Sequence, residues 1–307
     1  MDSVLEIKNA FFLYGANKAL NAVSFDVKKG STFGIIGPDG AGKTTLIRLF
    51  CGLLKPDSGT CTVLGFDTVK QKYQLIPKIG YLSQKFSLYG DLSVDENIDF
   101  FASIHNVKNY KPKKDELLNY MGLFQFRNRL AGALSGGMKQ KLALTCTLIH
   151  TPEIIFLDEP TNGVDPVARR DFWEILKNIA SQGVSIIIST PYIDEAEKCD
   201  YIAFMNKGSV ISCDTPAVIK SKYPDHLFEI SSNDVHEAKK IIETAADIKS
   251  VQIFGNKLHA GVARNTEGQS YLSVILKDKV NIENIREIKP TLEDVFIDLL
   301  ENGVKND

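Results

Sequence analysis

Phe33-Gly34-Ile35-Ile36-Gly37-Pro38-Asp39-Gly40-Ala41-Gly42-Lys43-Thr44 is the stretch whose reading decides the fold. An apolar run of buried-strand length leads into a glycine-rich loop, and a helical pattern over Lys43–Leu53 follows. The loop carries the spacing G-x-x-x-x-G-K-[ST] from Gly37 to Thr44, which needs this strand–loop–helix context to cradle phosphates. Glycines at 37, 40 and 42 let the backbone curl so that successive N–H groups face inward. The start of the helix adds its positive dipole end. Lys43 would reach the terminal phosphates of a nucleotide and the Thr44 hydroxyl would ligate Mg²⁺. Asp39, Ala41 and Thr45 complete this stretch, and Asp39 adds a negative charge beside the expected phosphates.

Outward from this loop, short apolar runs alternate with helical patterns through the first 220 or so residues. Strand-like runs include Leu5–Ile7, Ser31–Ile36, Thr60–Leu64, Ile79–Leu82, Ile154–Leu157, Ser185–Ser189, Ile202–Met205 and Val210–Ser212. Helices are expected over Val94–His105, Lys113–Met121, Gly136–Ile149 and Ala168–Ala180. The alternation reads as α/β with a largely parallel sheet. Residues 85–133 break it and read as a helical insertion. A Pro after Ser221-Lys222-Tyr223 marks a boundary, so we expect one domain over residues 1–221 and a second over 222–307. The second would be a small α+β domain with strands at Leu227–Ser231, Val251–Phe254 and Leu258–Val262. Its helices would be Val235–Ala245, Ser270–Leu276 and Leu292–Leu300.

Composition sets the outer limits. The 307 residues are 44% hydrophobic and 24% charged, an ordinary globular mix that excludes disorder and fibrous repeats. With 36 Lys+Arg against 38 Asp+Glu the net charge is −2, which does not describe a strongly basic nucleic-acid binder and leaves room only for a local basic patch. Residues 222–307 hold 11 basic and 15 acidic side chains, which leaves the first 221 at +2. Cysteines 51, 61, 146, 199 and 213 are scattered without a C-x-x-C pair, which argues against disulfides and zinc and for a reducing compartment. The first residues, Met1-Asp2-Ser3-Val4, lack a basic-then-apolar signal pattern. No run approaches the roughly 18 apolar residues of a spanning helix. The sequence therefore reads as that of a cytoplasmic protein with no membrane span of its own.

Two further segments carry chemistry. Ile154-Ile155-Phe156-Leu157-Asp158-Glu159-Pro160 describes a buried strand that delivers two acids to the sheet edge where ligands of open α/β sheets bind. Asp158 would hold Mg²⁺, and Glu159 would orient or deprotonate an attacking water. Taken alone, two acids could simply end a strand; paired with the phosphate loop they point to catalysis. Leu134-Ser135-Gly136-Gly137-Met138-Lys139-Gln140 precedes a helix. There Ser135 suits an N-cap, and Gly136 and Gly137 leave N–H groups unshielded. The plain alternative is a capped helix with a flexible glycine pair. The functional one is a second phosphate-binding surface that closes on the nucleotide of a facing copy.

In order, GPDGAGKT, Gln84, LSGGMKQ and FLDEP resemble the nucleotide-binding subunit of an ATP-binding cassette (ABC) transporter. The LSGG signature separates that family from other phosphate-loop ATPases. The resemblance covers residues 1–220. The tail, with Pro290-Thr291-Leu292-Glu293-Asp294-Val295-Phe296, is similar to the accessory C-terminal domain of drug-resistance-type exporter ATPases. The family implies a phosphate-loop NTPase cassette with an antiparallel β subdomain, ATP and Mg²⁺ as ligands, and hydrolysis of ATP. It also implies a separate transmembrane permease, a second ABC ATPase subunit as a homodimer or heterodimer, and a place on the inner face of the cell membrane.

The resemblance implies further roles residue by residue. Tyr14 would stack on adenine through its flat π face; the lesser alternative is a strand-end Tyr at a core margin. Gln84 would contact Mg²⁺ and the attacking water and hinge the helical insertion. Ser135, Gly136, Gly137 and Gln140 would serve the opposite nucleotide, and Asp165 would lie in the loop that crosses the interface. Phe86, Leu88, Tyr89 and Leu92 lie near the hinge, where they would either meet the permease or pack as core. One departure matters. Where the family has a histidine facing the γ-phosphate, this chain reads Ser189-Thr190-Pro191-Tyr192, and Pro191 offers no side-chain donor and no N–H. Slow hydrolysis at this chain's own site is the expectation. Two alternatives to a transporter subunit are a soluble ABC ATPase acting on ribosomes or DNA, and a regulatory module that binds ATP as a switch. The first normally shows two cassettes or basic extensions, and the intact Lys43, Asp158 and Glu159 weigh against the second.

Overall fold

The computed structural model describes residues 3–85 and 88–303, side chains through 301. Phe86 lies outside them. The chain divides into two compact units, Met1–Pro216 and Ala217–Asp307.

The first unit begins with a long hairpin, β1 (Ser3–Tyr14) and β2 (Asn17–Lys28), followed by β3 (Thr32–Ile36) and α1 (Lys43–Phe50). Next come β4 (Ser58–Val63), β5 (Phe66–Asp67), α2 (Lys72–Leu75) and β6 (Ile79–Leu82). The helical insertion holds α3 (Val94–Ile104) and α4 (Lys111–Tyr120). It is followed by α5 (Gly136–Leu148), β7 (Ile154–Asp158), α6 (Pro166–Ser181) and β8 (Ser185–Thr190). The unit closes with α7 (Ile193–Ala196), β9 (Tyr201–Asn206) and β10 (Ser209–Asp214). The short helix α8 (Pro216–Ser221) spans the division.

Two sheets share one core. The larger has the order β10-β9-β3-β8-β7-β6. In it β9, β3, β8, β7 and β6 run parallel, and β10 pairs antiparallel at the edge. Strands covered on both faces must be apolar throughout, and Ile154–Leu157 and Ile186–Ile188 are fully buried. The smaller, antiparallel sheet has the order β2-β1-β4-β5. It packs Leu5, Ile7, Leu20 and Val23 against Phe33, Leu46 and Phe50. Phe25 stacks on Phe33 with centroids 5.0 Å apart.

The full extent of β1 and the whole of β2 were not legible in the sequence, and bulges explain it. The register shifts between Ile7 and Ala10 and again between Ala10 and Phe12. At those shifts Asn9 (φ 46) and Ala22 (φ 51) adopt the left-handed conformation. Each bulge inserts an extra residue and breaks the two-residue alternation that marks a strand.

The insertion is held by local signals and by charge. Ser93 and Glu96 form a reciprocal capping box at the start of α3. Between α3 and α4, the nearly buried Lys114 ammonium lies 3.2 Å from Asp95 and 2.8 Å from Asp99. Arg127 adds a 2.7 Å contact to Asp95. Removing Lys114 would leave Asp95 with Arg127 and take from Asp99 its ammonium partner. Lys114→Ala is therefore expected to cost about 1–2 kcal/mol, less than for a fully enclosed pair because both acids keep some solvent. Thermal unfolding followed by circular dichroism checks this; an unchanged midpoint would mean that solvent screens the cluster.

The second unit runs β11 (His226–Ser232), α9 (Val235–Glu243), β12 (Ile248–Phe254), β13 (Lys257–Val262), α10 (Gly268–Leu276), β14 (Ile282–Ile288) and α11 (Leu292–Gly303). Its antiparallel order β12-β13-β11-β14 makes β11–β14 with α9 and α10 a ferredoxin-like βαββαβ arrangement. The sequence did not signal β14. This edge strand, Ile-Glu-Asn-Ile-Arg-Glu-Ile, shows side chains every third position half-buried and the rest exposed, so it lacks a strand period. Asp294 begins α11 with a capping box. It accepts from the Thr291 amide at 2.9 Å and hydroxyl at 2.6 Å, and its own amide donates to the Thr291 oxygen. Its other oxygen meets His259 Nδ1 at 2.8 Å. Burial pushes the Asp294 carboxyl up, but the hydrogen bonds from His259 and Thr291 outweigh it and hold the group below the usual range.

Candidate functional site

The C-terminal ends of the parallel strands converge at one edge of the larger sheet. From β3 emerges the glycine loop. Gly37 sits so tightly that a Cβ there would fall 2.3 Å from the Met205 carbonyl oxygen, and at Gly42 (φ +100) one would fall 2.5 Å from the Ala19 oxygen. Glycine is therefore required at both positions. At Gly40 (φ +79) a Cβ would meet nothing within 4 Å, so the loop presents bare backbone there. No side chain caps the N-terminus of α1, and its orphan N–H groups make an anion site.

Lys43 is almost fully buried and uses its three protons inside the loop. It donates to the Gly37 carbonyl at 2.8 Å and the Pro38 carbonyl at 3.0 Å, and it pairs with Glu159 Oε1 at 3.1 Å. From the end of β7, Asp158 Oδ1 accepts from the Thr44 hydroxyl at 3.0 Å and the Ser189 hydroxyl at 2.7 Å. Burial, with some help from the neighbouring Glu159 charge, raises the Asp158 carboxyl above its ordinary range. The hydrogen bonds from Ser189 and Thr44 and the Arg48 charge pull against that shift.

Glu159 follows β7 with φ 47, a left-handed conformation that costs a non-glycine residue roughly 1–2 kcal/mol. It is held there by its amide, which donates to the Ser189 hydroxyl at 3.0 Å and the Ser189 carbonyl at 3.1 Å. Strain that persists under such constraint is common at working sites. Here it turns the carboxylate toward Lys43. Glu159 Oε2 accepts from Gln84 Nε2 at 2.8 Å, which ties the residues just after β6 to the acid.

A cavity of about 390 Å³ opens above these groups, lined by Tyr14, Asn17, Lys18, Gly40–Thr45, Glu159 and Lys207 among others. Tyr14 is 46% exposed and packs edge-on with Phe12 at 4.9 Å between centroids. Asp39 is exposed and stands outside the lining. The donors Thr44, Asp158 and Gln84 are hard oxygens of the kind Mg²⁺ takes. Among the described residues no group of three or more His, Cys, Asp and Glu could hold a metal by itself.

The signature residues lie elsewhere. Ser135 caps α5 by accepting from the Met138 amide at 3.4 Å. A Cβ on Gly136 would meet nothing within 4 Å, whereas one on Gly137 would lie 2.9 Å from Ala168 Cβ. Gln140 is fully buried and donates to the Pro160 carbonyl, so its side chain is not displayed to a ligand. Asp165 caps α6 by accepting from the amides of Val167 at 3.1 Å and Ala168 at 3.0 Å. None of these five residues lines the cavity built on the same chain's phosphate loop.

Near Gln84 a second cavity of about 270 Å³ is lined by Leu53, Leu82, Leu88, Phe101, His105 and His150 among others. His105 and His150 stack with centroids 3.9 Å apart and planes at 5°, and burial lowers the basicity of both. His150 Nε2 meets the Ile79 carbonyl at 2.8 Å, so its place after α5 serves a specific contact beyond the helix dipole. Tyr89 packs edge-on against Phe100 at 4.7 Å.

Several site residues escaped sequence reasoning. Ser189 reads only as the end of an apolar run, yet it touches both acids. Lys207 sits in the β9–β10 turn, which is fixed to the phosphate loop by a 3.1 Å bond from the Gly208 amide to the Ala41 carbonyl. A Lys-Gly turn after a buried strand is its only local signal. Asn162 donates to Glu159 Oε2 at 3.3 Å, and nothing in Thr161-Asn162-Gly163 announces it.

Comparison with known proteins gives two family matches, "ABC transporter" over residues 20–162 and "ATP-binding protein DrrA1-3-like, C-terminal domain" over residues 215–300. The chain is 39% identical over 287 residues to the Probable multidrug ABC transporter ATP-binding protein YbhF of Escherichia coli (strain K12), covering 89% of this chain. It spans about half of that relative, 48% of its length. It is 30% identical over 304 residues to the Daunorubicin resistance ATP-binding protein DrrA3 of Streptomyces coeruleorubidus, covering 97% of this chain and 96% of the relative. Among solved structures, an ATP-binding subunit of an ABC transporter superposes with TM-score 0.66 at 27% identity, covering 72% of this chain and 93% of that one. A dimeric ATP-binding cassette in a post-hydrolysis state, bound to ADP and Pi, superposes with TM-score 0.62 at 26% identity, covering 69% of this chain and 98% of that one.

Proposed function

Because this chain belongs to the ATP-binding subunits of ABC transporters, of the drug-resistance type with a C-terminal accessory domain, we propose that it binds and hydrolyses ATP to drive a separate membrane exporter. The observation that carries the reading is the convergence of Lys43, Thr44, Asp158, Glu159 and Gln84 on one strand-end edge beside an uncapped helix N-terminus. Residues 1–221 would be the ATPase cassette, with residues 85–133 as its helical subdomain, and 222–307 the accessory domain.

Tyr14 would stack on the adenine, and the loop amides of residues 40–45 would hold the phosphates. Lys43 would exchange the Gly37 and Pro38 carbonyls for phosphate oxygens. Mg²⁺, held by Thr44 with help from Asp158 and Gln84, would supply positive charge against the terminal phosphates. Glu159 would accept the proton of the attacking water while Gln84 orients it. Ser135, Gly136 and Gly137 lie apart from this cavity, which supports a facing second subunit whose site they would complete. Asp165 would stand in the loop between the two sites.

Among the described residues no helix is long and apolar enough to cross a membrane. The transport path would then belong to a permease subunit, with this chain on its cytoplasmic side. With Pro191 unable to face the γ-phosphate, the site on this chain's own loop would turn over slowly, and the partner ATPase of a heterodimer would supply the faster one. The test is ATP turnover by the purified chain together with its recovery from membranes. Slow, Lys43-dependent hydrolysis and co-purification with a multi-span protein are expected. Fast hydrolysis by the chain alone would sink the impaired-site reading, and ATP binding with no turnover would make it a regulatory switch.

A further inference from the structure

The loop after β8 carries a side chain that reaches Asn162, itself a hydrogen-bond partner of Glu159. Strand β8 pairs with β7 so that Ser189 lies opposite Asp158, which places residues 190–192 along the same edge as Glu159. Pro191 has neither a side-chain donor nor an N–H. Tyr192, the next residue, is held from two sides. Its amide donates to Thr190 Oγ1 at 3.1 Å, and the Arg169 guanidinium covers its ring 4.0 Å from the centroid. Arg169 is itself anchored near the fully buried Glu195 at 3.8 Å, which in turn accepts from the Thr161 hydroxyl at 2.7 Å.

From that clamp the Tyr192 hydroxyl donates to Asn162 Oδ1 at 3.5 Å, and Asn162 Nδ2 donates to Glu159 Oε2 at 3.3 Å. An Asn side chain ends in an acceptor and a donor of nearly the same shape. Turned over, its carbonyl oxygen would face the carboxylate and repel it. A hydroxyl donor at Oδ1 favours the orientation in which the NH₂ meets Glu159.

We propose that Tyr192 is a positioning residue for hydrolysis: through the Asn162 amide its hydroxyl holds the Glu159 carboxylate in the orientation that accepts a proton from water. This rests on Glu159 being that proton acceptor. Tyr192 thereby supplies the residual order at a site that lacks a donor at position 191, and the low turnover of this chain depends on it.

The experiment is single-turnover hydrolysis of radiolabelled ATP by the purified full chain, with steady-state KM measured alongside. Tyr192→Phe removes only the hydroxyl and keeps the ring under Arg169, so folding is not at stake. Tyr192→Phe and Asn162→Ala are each expected to lower kcat about fivefold with KM for ATP unchanged, the effect of losing one modest hydrogen bond. The double variant should be no slower than either single one, because both break the same relay. An unchanged kcat in Tyr192→Phe, a loss confined to KM, or full additivity of the two changes would each overturn the proposal. Lys43→Ala keeps the two readings apart. Lys43-dependent turnover indifferent to Tyr192→Phe removes the positioning role alone. Absence of any Lys43-dependent turnover in the parent removes both that role and the hydrolysis reading.

Discussion

Glu159→Gln is expected to lower ATP hydrolysis by about 100-fold or more, the range measured for removal of a general base. Nucleotide binding should survive. The amide keeps the volume of the acid and its acceptor oxygen, so the bond from Gln84, 2.8 Å in the native chain, can still form. The change does remove the negative partner of Lys43, now 3.1 Å away, which frees the ammonium for phosphate. Affinity for ATP should therefore hold or rise while turnover collapses. Single-turnover phosphate release and equilibrium binding of a fluorescent ATP analogue separate the two effects. A variant that hydrolyses within threefold of its parent would exclude Glu159 as the proton acceptor.

Pro191→His should act in the opposite direction. The substitution restores a ring with two nitrogens and a backbone N–H at the edge where β8 meets the two acids. A donor that contacts the terminal phosphate or the attacking water in the transition state is worth roughly tenfold or more in rate. We expect kcat to rise by about that factor with little change in KM, since the new contact strengthens as charge develops. The cost in stability should be small because Pro191 is only partly buried. Unchanged turnover would show that the proline does not limit the site.

What the sequence disclosed and what it withheld divide along physical lines. The phosphate loop, the β7 strand with its two acids and the Ser135 cap were legible because their chemistry is local. Glycines at fixed spacing before Lys43 read as a phosphate loop once a strand and a helix flank them, and the acid pair after four apolar residues gains its meaning from that loop. The strands β3, β7 and β8 were legible for a similar reason, since continuous burial demands continuous apolar side chains. The β1–β2 hairpin was hidden by its bulges at Asn9 and Ala22, and β14 by an edge position that buries too little to leave a period.

The hidden part of the site is of a different kind. Ser189 bridges Asp158 and the Glu159 amide because two parallel strands pair in one register. Asn162 and Tyr192 meet because the loops after those strands turn toward each other. Lys207 reaches the cavity because β9 lies beside β3. Each contact joins residues about thirty to over a hundred and fifty positions apart and changes no local pattern.

The pairing of β3 with β9 also bears on how the protein is made. The loop at Gly37 rests against the Met205 carbonyl, and the Gly208 amide closes onto Ala41. During synthesis the phosphate loop leaves the ribosome early, whereas the strand that backs it follows some 165 residues later. At about 5–20 residues per second that gap lasts on the order of 10–30 s. Throughout it the β3 edge is apolar and without its neighbour, a state that invites pairing with other chains. Chains released before residue 208 would carry every phosphate-loop residue and still lack part of the backing that the loop rests on. The contacts that back the loop are therefore all present only near the end of translation of the first unit.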